Sequence, residues 1–71
     1  MKFTKITKGI YGNKDTGFYI ERDSSLEGEL KWVIQNINPE VIEAYIAEGN
    51  DQIYHTLKEA KQSIKQLNTK L

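Results

Sequence analysis

The sequence contains no cysteine, one histidine and one proline among its 71 residues. Without cysteine, neither a disulfide framework nor a thiolate metal site can reinforce the fold, so stability has to come from packing or from a partner. No apolar run approaches the ~20 residues that a membrane span needs, and the charged N-terminus lacks the apolar stretch of a signal peptide. We therefore expect a cytoplasmic protein that does not associate with membranes.

An excess of charge of one sign is also missing, since ten basic residues balance ten acidic ones. A zero net charge is unfavourable for a protein whose main work is to neutralise phosphates. The balance conceals a division along the chain. Residues 1–14 contain four lysines and no acid, residues 15–51 have a local charge of −7, and residues 52–71 have +3. We interpret this division as a set of solvated, mutually attracting faces.

The length predicts a single domain, spanning residues 1–71, that buries about 60% of the surface its unfolded form exposes. Three strands are predicted in its first half. Residues 2–11 have the composition of a strand, but their alternation is imperfect and suggests a bulge or a late start. Residues 12–17 have turn chemistry, so residues 18–22 form a hairpin with the first strand. After a polar loop at residues 23–29, residues 30–35 form the third strand of an antiparallel meander.

Two helices follow. Asn38 is a suitable N-cap before Pro39, and Gly49 supplies the stop of a short helix. Thr56 and Glu59 form a capping box that opens a C-terminal helix, while residues 52–55 are either a short edge strand or a loop. The apolar stripe of the last helix consists of Leu57, Ala60, Ile64, Leu67 and Leu71. The predicted fold class is α+β: a three-stranded antiparallel sheet with a short middle helix and a C-terminal helix packed on one face. The stripe also allows a short coiled-coil seam, so we expect a monomer or a weak homodimer.

The chemistry of an enzyme is hard to assemble from this sequence. His55 is the single histidine, and Asp51 lies four residues before it with no patterned partner elsewhere. The carboxylate pairs Glu27 with Glu29 and Asp15 with Asp23 lack the spacing of a calcium loop. The glycines at positions 9, 12 and 17 precede no helix, so they do not form a phosphate-binding loop. We expect no catalytic residues, no metal and no cofactor.

The sheet provides the candidate site. We expect one set of side chains to face the helices: Ile6, Ile10, Phe18, Ile20, Trp32 and Ile34. The alternating set is expected on the open face and is the predicted partner-binding site: Lys5, Thr7, Tyr11, Tyr19, Glu21, Val33 and Gln35. Two tyrosines among small polar groups suit recognition, although an ordinary half-solvated antiparallel sheet has a similar composition.

A family likeness rests on Gly-Phe-Tyr-Ile-Glu-Arg at residues 17–22, on Trp32 in the third strand, and on Thr-Leu-Lys-Glu-Ala-Lys at residues 56–61. The chain resembles small uncharacterised phage and mobile-element proteins of Gram-positive bacteria. It also resembles the arm-type DNA-binding domain of tyrosine integrases, whose open sheet face is basic and lies in the DNA major groove. The first likeness implies a non-enzymatic module that binds a host or phage protein as an inhibitor or accessory factor. The second implies a DNA-binding module using the same face, which Glu21 and the acidic loop after it disfavour.

Overall fold

The computed structural model describes residues 2–25 and 31–69. Its elements, in chain order, are β1 (Thr4–Thr7), β2 (Ile10–Gly12), β3 (Phe18–Arg22), β4 (Trp32–Asn36), α1 (Pro39–Ala47), β5 (Ile53–Tyr54) and α2 (Leu57–Thr69). The strands form one antiparallel sheet in the order β1-β2-β3-β4-β5. The predicted α+β class with an antiparallel sheet and two helices is confirmed. The prediction of three strands is wrong, because the described residues form a sheet of five.

The first additional strand arises because residues 2–11 do not form one continuous strand. Thr7 pairs with Ile10, so the chain reverses through the two residues Lys8 and Gly9. Gly9 has φ +82°, and tight hairpin turns need such positive values, which glycine adopts without steric cost. The predicted irregularity is also present, since the register shifts between Lys5 and Thr7. The broken alternation of this segment therefore reflects both a bulge and a turn.

The second hairpin joins β2 to β3 through the predicted turn. Asn13 is buried and organises this turn with both ends of its side chain. Its Oδ1 accepts hydrogen bonds from the Thr16 amide at 2.9 Å and the Thr16 hydroxyl at 2.8 Å. Its Nδ2 donates to the Lys2 carbonyl at 2.8 Å, which ties the segment before β1 to the turn. The Asn side chain thus stabilises a turn in the way its residue type favours.

Each helix begins after a residue whose side chain caps its first turn. Asn38 Oδ1 accepts from the Glu40 amide at 3.0 Å, with Pro39 in the first position of α1. Thr56 Oγ1 accepts from the Glu59 amide at 3.1 Å and donates to the Glu59 carboxylate at 3.1 Å. The predicted caps are confirmed. Residues 53 and 54 pair with β4, so the segment left open by the sequence contains a two-residue edge strand.

The core lies between one face of the sheet and the two helices. α2 packs on β3, β4 and β5, and α1 packs on β4. Among the described residues, the buried hydrophobic side chains of the core are Phe18, Ile20, Ile34, Tyr45, Ala60 and Ile64. Leu57 and Leu67 pack against this core, so the stripe of α2 faces the sheet of its own domain; Leu71 and Leu30 lie outside the described residues. In the described part of the chain, neither helix has the length and apolar character to cross a membrane.

A chain of hydroxyl groups runs through the interface between the helices. The Tyr45 hydroxyl donates to the Asp51 carbonyl at 2.8 Å and lies 2.7 Å from Ser63 Oγ. Tyr54 donates to the same Ser63 oxygen at 2.8 Å. Because Tyr45 has a single proton, Ser63 must donate to Tyr45, and the bonds run in one direction from Tyr54 to Asp51. Burial raises the pKa of Tyr45 above its ordinary value.

Candidate functional site: the open face of the sheet

The pairing register divides the side chains of the sheet between two faces, because directly opposed residues share a face. On the side of the helices, Ile20 is opposed to Ile34 and to Tyr11, and Trp32 is opposed to Tyr54. The other side is the open face. One of its rows contains Ile10, Glu21, Val33 and Ile53, and the next contains Gly12, Tyr19 and Gln35. Neither helix covers these rows, since both pack on the side of Ile20 and Ile34.

Five of the seven predicted site residues lie on the open face. They are Thr7, Tyr19, Glu21, Val33 and Gln35. Thr7 reaches this face because it pairs with Ile10, at the position where the bulge in β1 shifts the register. The face assignment of these five residues agrees with the alternation predicted for β3 and β4. Their role in binding a partner remains a prediction.

The predicted placement of Tyr11 on the open face is wrong. Its ring centroid lies 6.2 Å from that of Trp32 and 5.2 Å from Nζ of Lys61, which belongs to α2. Tyr11 therefore packs beneath the C-terminal helix, where a cation–π contact holds it. Lys5 pairs with Tyr11, so its register position is also on the helix side. Both errors come from counting alternation along one continuous strand, whereas the turn at Gly9 and the bulge between Lys5 and Thr7 each shift the alternation.

The isoleucines that we expected in the core are also on the other face of the sheet. Ile6 is 66% exposed and lies against Gly12, and Ile10 shares the open face with Glu21. Two further isoleucines, Ile37 and Ile53, were not among the predicted site residues, and they are 78% and 37% exposed. Ile53 pairs with Val33, and Ile37 contacts Gly17 at the end of the same face. We call the resulting set the apolar face: Ile6, Ile10, Tyr19, Val33, Ile37 and Ile53. The pairing register of the strands would have identified the apolar face, since the register specifies which residues of neighbouring strands are opposed.

A cleft of about 390 Å³ lies at one end of the apolar face. Its walls include Ile6, Tyr19 and Ile37, and Gly12 and Gly17 contribute backbone. A Cβ on Gly12 would lie 2.6 Å from Cδ1 of Ile6, and one on Gly17 would lie 2.7 Å from Cγ1 of Ile37. Both distances are shorter than van der Waals contact. The glycines therefore let the two isoleucines lie directly on the backbone. We call this feature the Ile6–Ile37 cleft.

The carboxylates considered for acid–base or metal chemistry do not form a site among the described residues. Asp23 accepts hydrogen bonds from the Ser25 hydroxyl at 2.5 Å and the Ser25 amide at 2.9 Å, and these bonds lower its pKa. A general acid at neutral pH needs a shift in the opposite direction. Within residues 2–25 and 31–69, no group of three His, Cys, Asp or Glu side chains could hold a metal ion. Glu27 and Glu29 lie outside the described residues.

No protein-family model, curated protein or solved structure matches the chain. The resemblance to mobile-element proteins and to integrase arm domains remains a prediction.

Proposed function

We propose that the chain is a protein-binding module and that the open face of its sheet contacts the partner. The observation that carries this proposal is the apolar face, which lies opposite the helices and takes no part in the core. Soluble domains seldom expose contiguous apolar patches unless the patch is an interaction site. The exposed fractions of Ile6 and Ile37, 66% and 78%, make these side chains available without any rearrangement.

The distribution of polar groups on this face also suits a protein partner. Val33 and Tyr19 lie on its central strands, and Glu21 and Gln35 are their neighbours along those strands. Protein interfaces combine an apolar centre that contains aromatic residues with a polar rim. Tyrosine is enriched among residues that dominate binding energy, because its rigid ring covers a large area at low entropic cost. Tyr19 is the aromatic residue of this face, and we assign it the role of central anchor.

The charge arrangement supports a protein partner over a nucleic-acid duplex. Lys61 of α2 lies over the ring of Tyr11 on the covered side, and therefore away from the open face. Glu21 lies within the open face, where it would repel phosphates. The finer hypothesis is that the module acts on a host or phage protein as an inhibitor or accessory factor. It belongs to the same proposal and rests on the resemblance.

The test compares exposed isoleucines on opposite sides of the domain. The double variant Ile37→Ser and Ile53→Ser alters the apolar face, while Ile46→Ser removes an isoleucine that is 46% exposed on α1. Proteins retained by each immobilised chain from a lysate of the source cells are quantified by mass spectrometry. We expect a specific protein whose retention falls about tenfold or more in the double variant and is unchanged in Ile46→Ser.

Two results contradict this proposal. The first is equal retention of every captured protein by all three chains. The second is micromolar binding of the wild-type domain to duplex DNA with a steep dependence on salt, which would favour the DNA-binding alternative.

A further inference from the structure

We propose that the Ile6–Ile37 cleft receives one apolar side chain from a segment of the partner, and that carboxylates flank this side chain. The inference rests on the proposed function and specifies the chemistry of the partner. It follows from the shape of the cleft and from the charge of the residues around it.

The shape is suited to a single inserted side chain. The volume of about 390 Å³ is near the lower end of the ~300–1,000 Å³ range of small-ligand sites. The walls are apolar, with Ile6 and Ile37 lying on the backbone of Gly12 and Gly17. Such walls favour an aliphatic or aromatic group through burial alone, at about 25 cal/mol for each Å² removed from water. They give little discrimination among apolar groups, so selectivity has to come from the surroundings.

The surroundings are basic. Lys14 contributes to the lining of the cleft and is exposed in the turn beside it. Lys2 is also exposed, and its carbonyl accepts a hydrogen bond from Asn13 of the same turn. Asp15 is the one acid among residues 2–18. A partner segment with carboxylates beside its apolar anchor gains attraction to these lysines, whereas a lysine-bearing segment is repelled. The same lysines oppose a second copy of this chain, because two copies that meet at the cleft bring like charges together.

The experiment is an NMR titration of the ¹⁵N-labelled chain with defined peptides. The probes are N-acetylated, C-amidated pentapeptides with a central leucine or phenylalanine and four aspartates, four lysines or four alanines. We expect shift changes centred on the amides of Gly12, Gly17, Tyr19 and Ile37. The aspartate peptides should bind about tenfold more tightly than the lysine peptides at low salt, and the difference should shrink at about 1 M salt.

Matched variants test the charge argument. Lys14→Glu should remove or reverse the preference for aspartate peptides, whereas Lys58→Glu makes the same charge change on α2 and should leave the preference intact. Ile37→Ser should weaken all the peptides together, because it removes one wall. Absence of shifts up to about 10 mM peptide, shifts centred elsewhere, or equal binding of aspartate and lysine peptides overturns the inference. If the peptides fail while the variant Ile37→Ser with Ile53→Ser still loses its captured protein, only this inference fails and the proposed function stands.

Discussion

The hydroxyl of Tyr45 lies 2.7 Å from Oγ of Ser63, and this contact joins α1 to α2 across the core. Tyr45 is 2% exposed, and its ring also packs edge-on against Phe18 with 6.0 Å between centroids. One side chain therefore links both helices and the sheet. In a domain of this size, where the margin of stability is small, such a link should be visible in the free energy of unfolding.

Replacing Tyr45 by Phe should destabilise the domain by about 1–2 kcal/mol. The change keeps the ring but removes the bonds to the Asp51 carbonyl and to Ser63, so buried polar groups lose a partner. Urea unfolding followed by circular dichroism measures the effect. Tyr19→Phe is the control, because Tyr19 lies on the open face, and it should leave the midpoint nearly unchanged. Equal midpoints for Tyr45→Phe and wild type would show that the hydroxyl chain contributes no stability.

The same residue predicts a loss of stability in alkaline solution. Burial raises the pKa of Tyr45 in the native state above its ordinary value of 10.0. The native state therefore retains the proton to higher pH than the unfolded state, and unfolding releases it. Stability from this group is complete below pH 10 and falls as the pH rises above it. Urea midpoints of the wild type should decrease from pH 9 to pH 11, and the slope should be smaller in Tyr45→Phe. A slope unchanged by the substitution would contradict the assignment.

A core substitution tests the packing of α2 on the sheet. Ile64 is fully buried, and Ile64→Ala should cost about 2–5 kcal/mol, enough to unfold much of the population of so small a domain. Ile46→Ala makes the same chemical change at a position that is 46% exposed and should cost far less. Thermal unfolding compares the two variants. Similar melting temperatures would mean that α2 does not pack on the sheet as described.

Alanine substitutions at two glycines distinguish the cost of backbone strain from the cost of a steric contact at the cleft. Gly17 has φ +78°, and a Cβ there would lie 2.7 Å from Cγ1 of Ile37. Gly49 has φ +91°, but no atom lies within 4 Å of a Cβ at that position. Gly49→Ala should therefore cost about 1 kcal/mol from the backbone alone, and Gly17→Ala should cost more. Adding Ile37→Ala should recover part of the excess in Gly17→Ala. Urea unfolding that gives equal costs for the two glycine variants would exclude the contact between Gly17 and Ile37.

The parts of this fold that the sequence predicted depend on local chemistry. Asn38 and Thr56 cap their helices through bonds to amides two or three residues away, so short motifs are sufficient to identify them. The apolar stripe that includes Ala60 and Ile64 was predictable for a related reason. Helical periodicity determines which side chains share a face, whatever the rest of the chain does.

The parts that were missed depend on pairing between strands. Gly9 favours a turn, but the strand-forming residues around it suggested one continuous strand. The reversal at Gly9 and the bulge between Lys5 and Thr7 each shift the alternation, so Tyr11 lies under α2 and Ile6 lies on the open face. A register error of this kind exchanges the two faces of a strand. As a result, the candidate site was predicted on the correct side of β3 and β4, whereas in β1 and β2 only Thr7 was placed correctly.

The proposed contact between the open face and a partner protein is measured by site-specific photo-crosslinking. The photoreactive residue p-benzoylphenylalanine replaces Glu21 on the open face or, as a matched control, Glu43 on α1; both glutamates are exposed. After irradiation in the source cells, adducts are resolved by mass and identified by mass spectrometry. We expect one predominant adduct to a different protein from position 21 and none from position 43. Adducts of equal yield from both positions, or adducts from position 21 only to another copy of this chain, would contradict it.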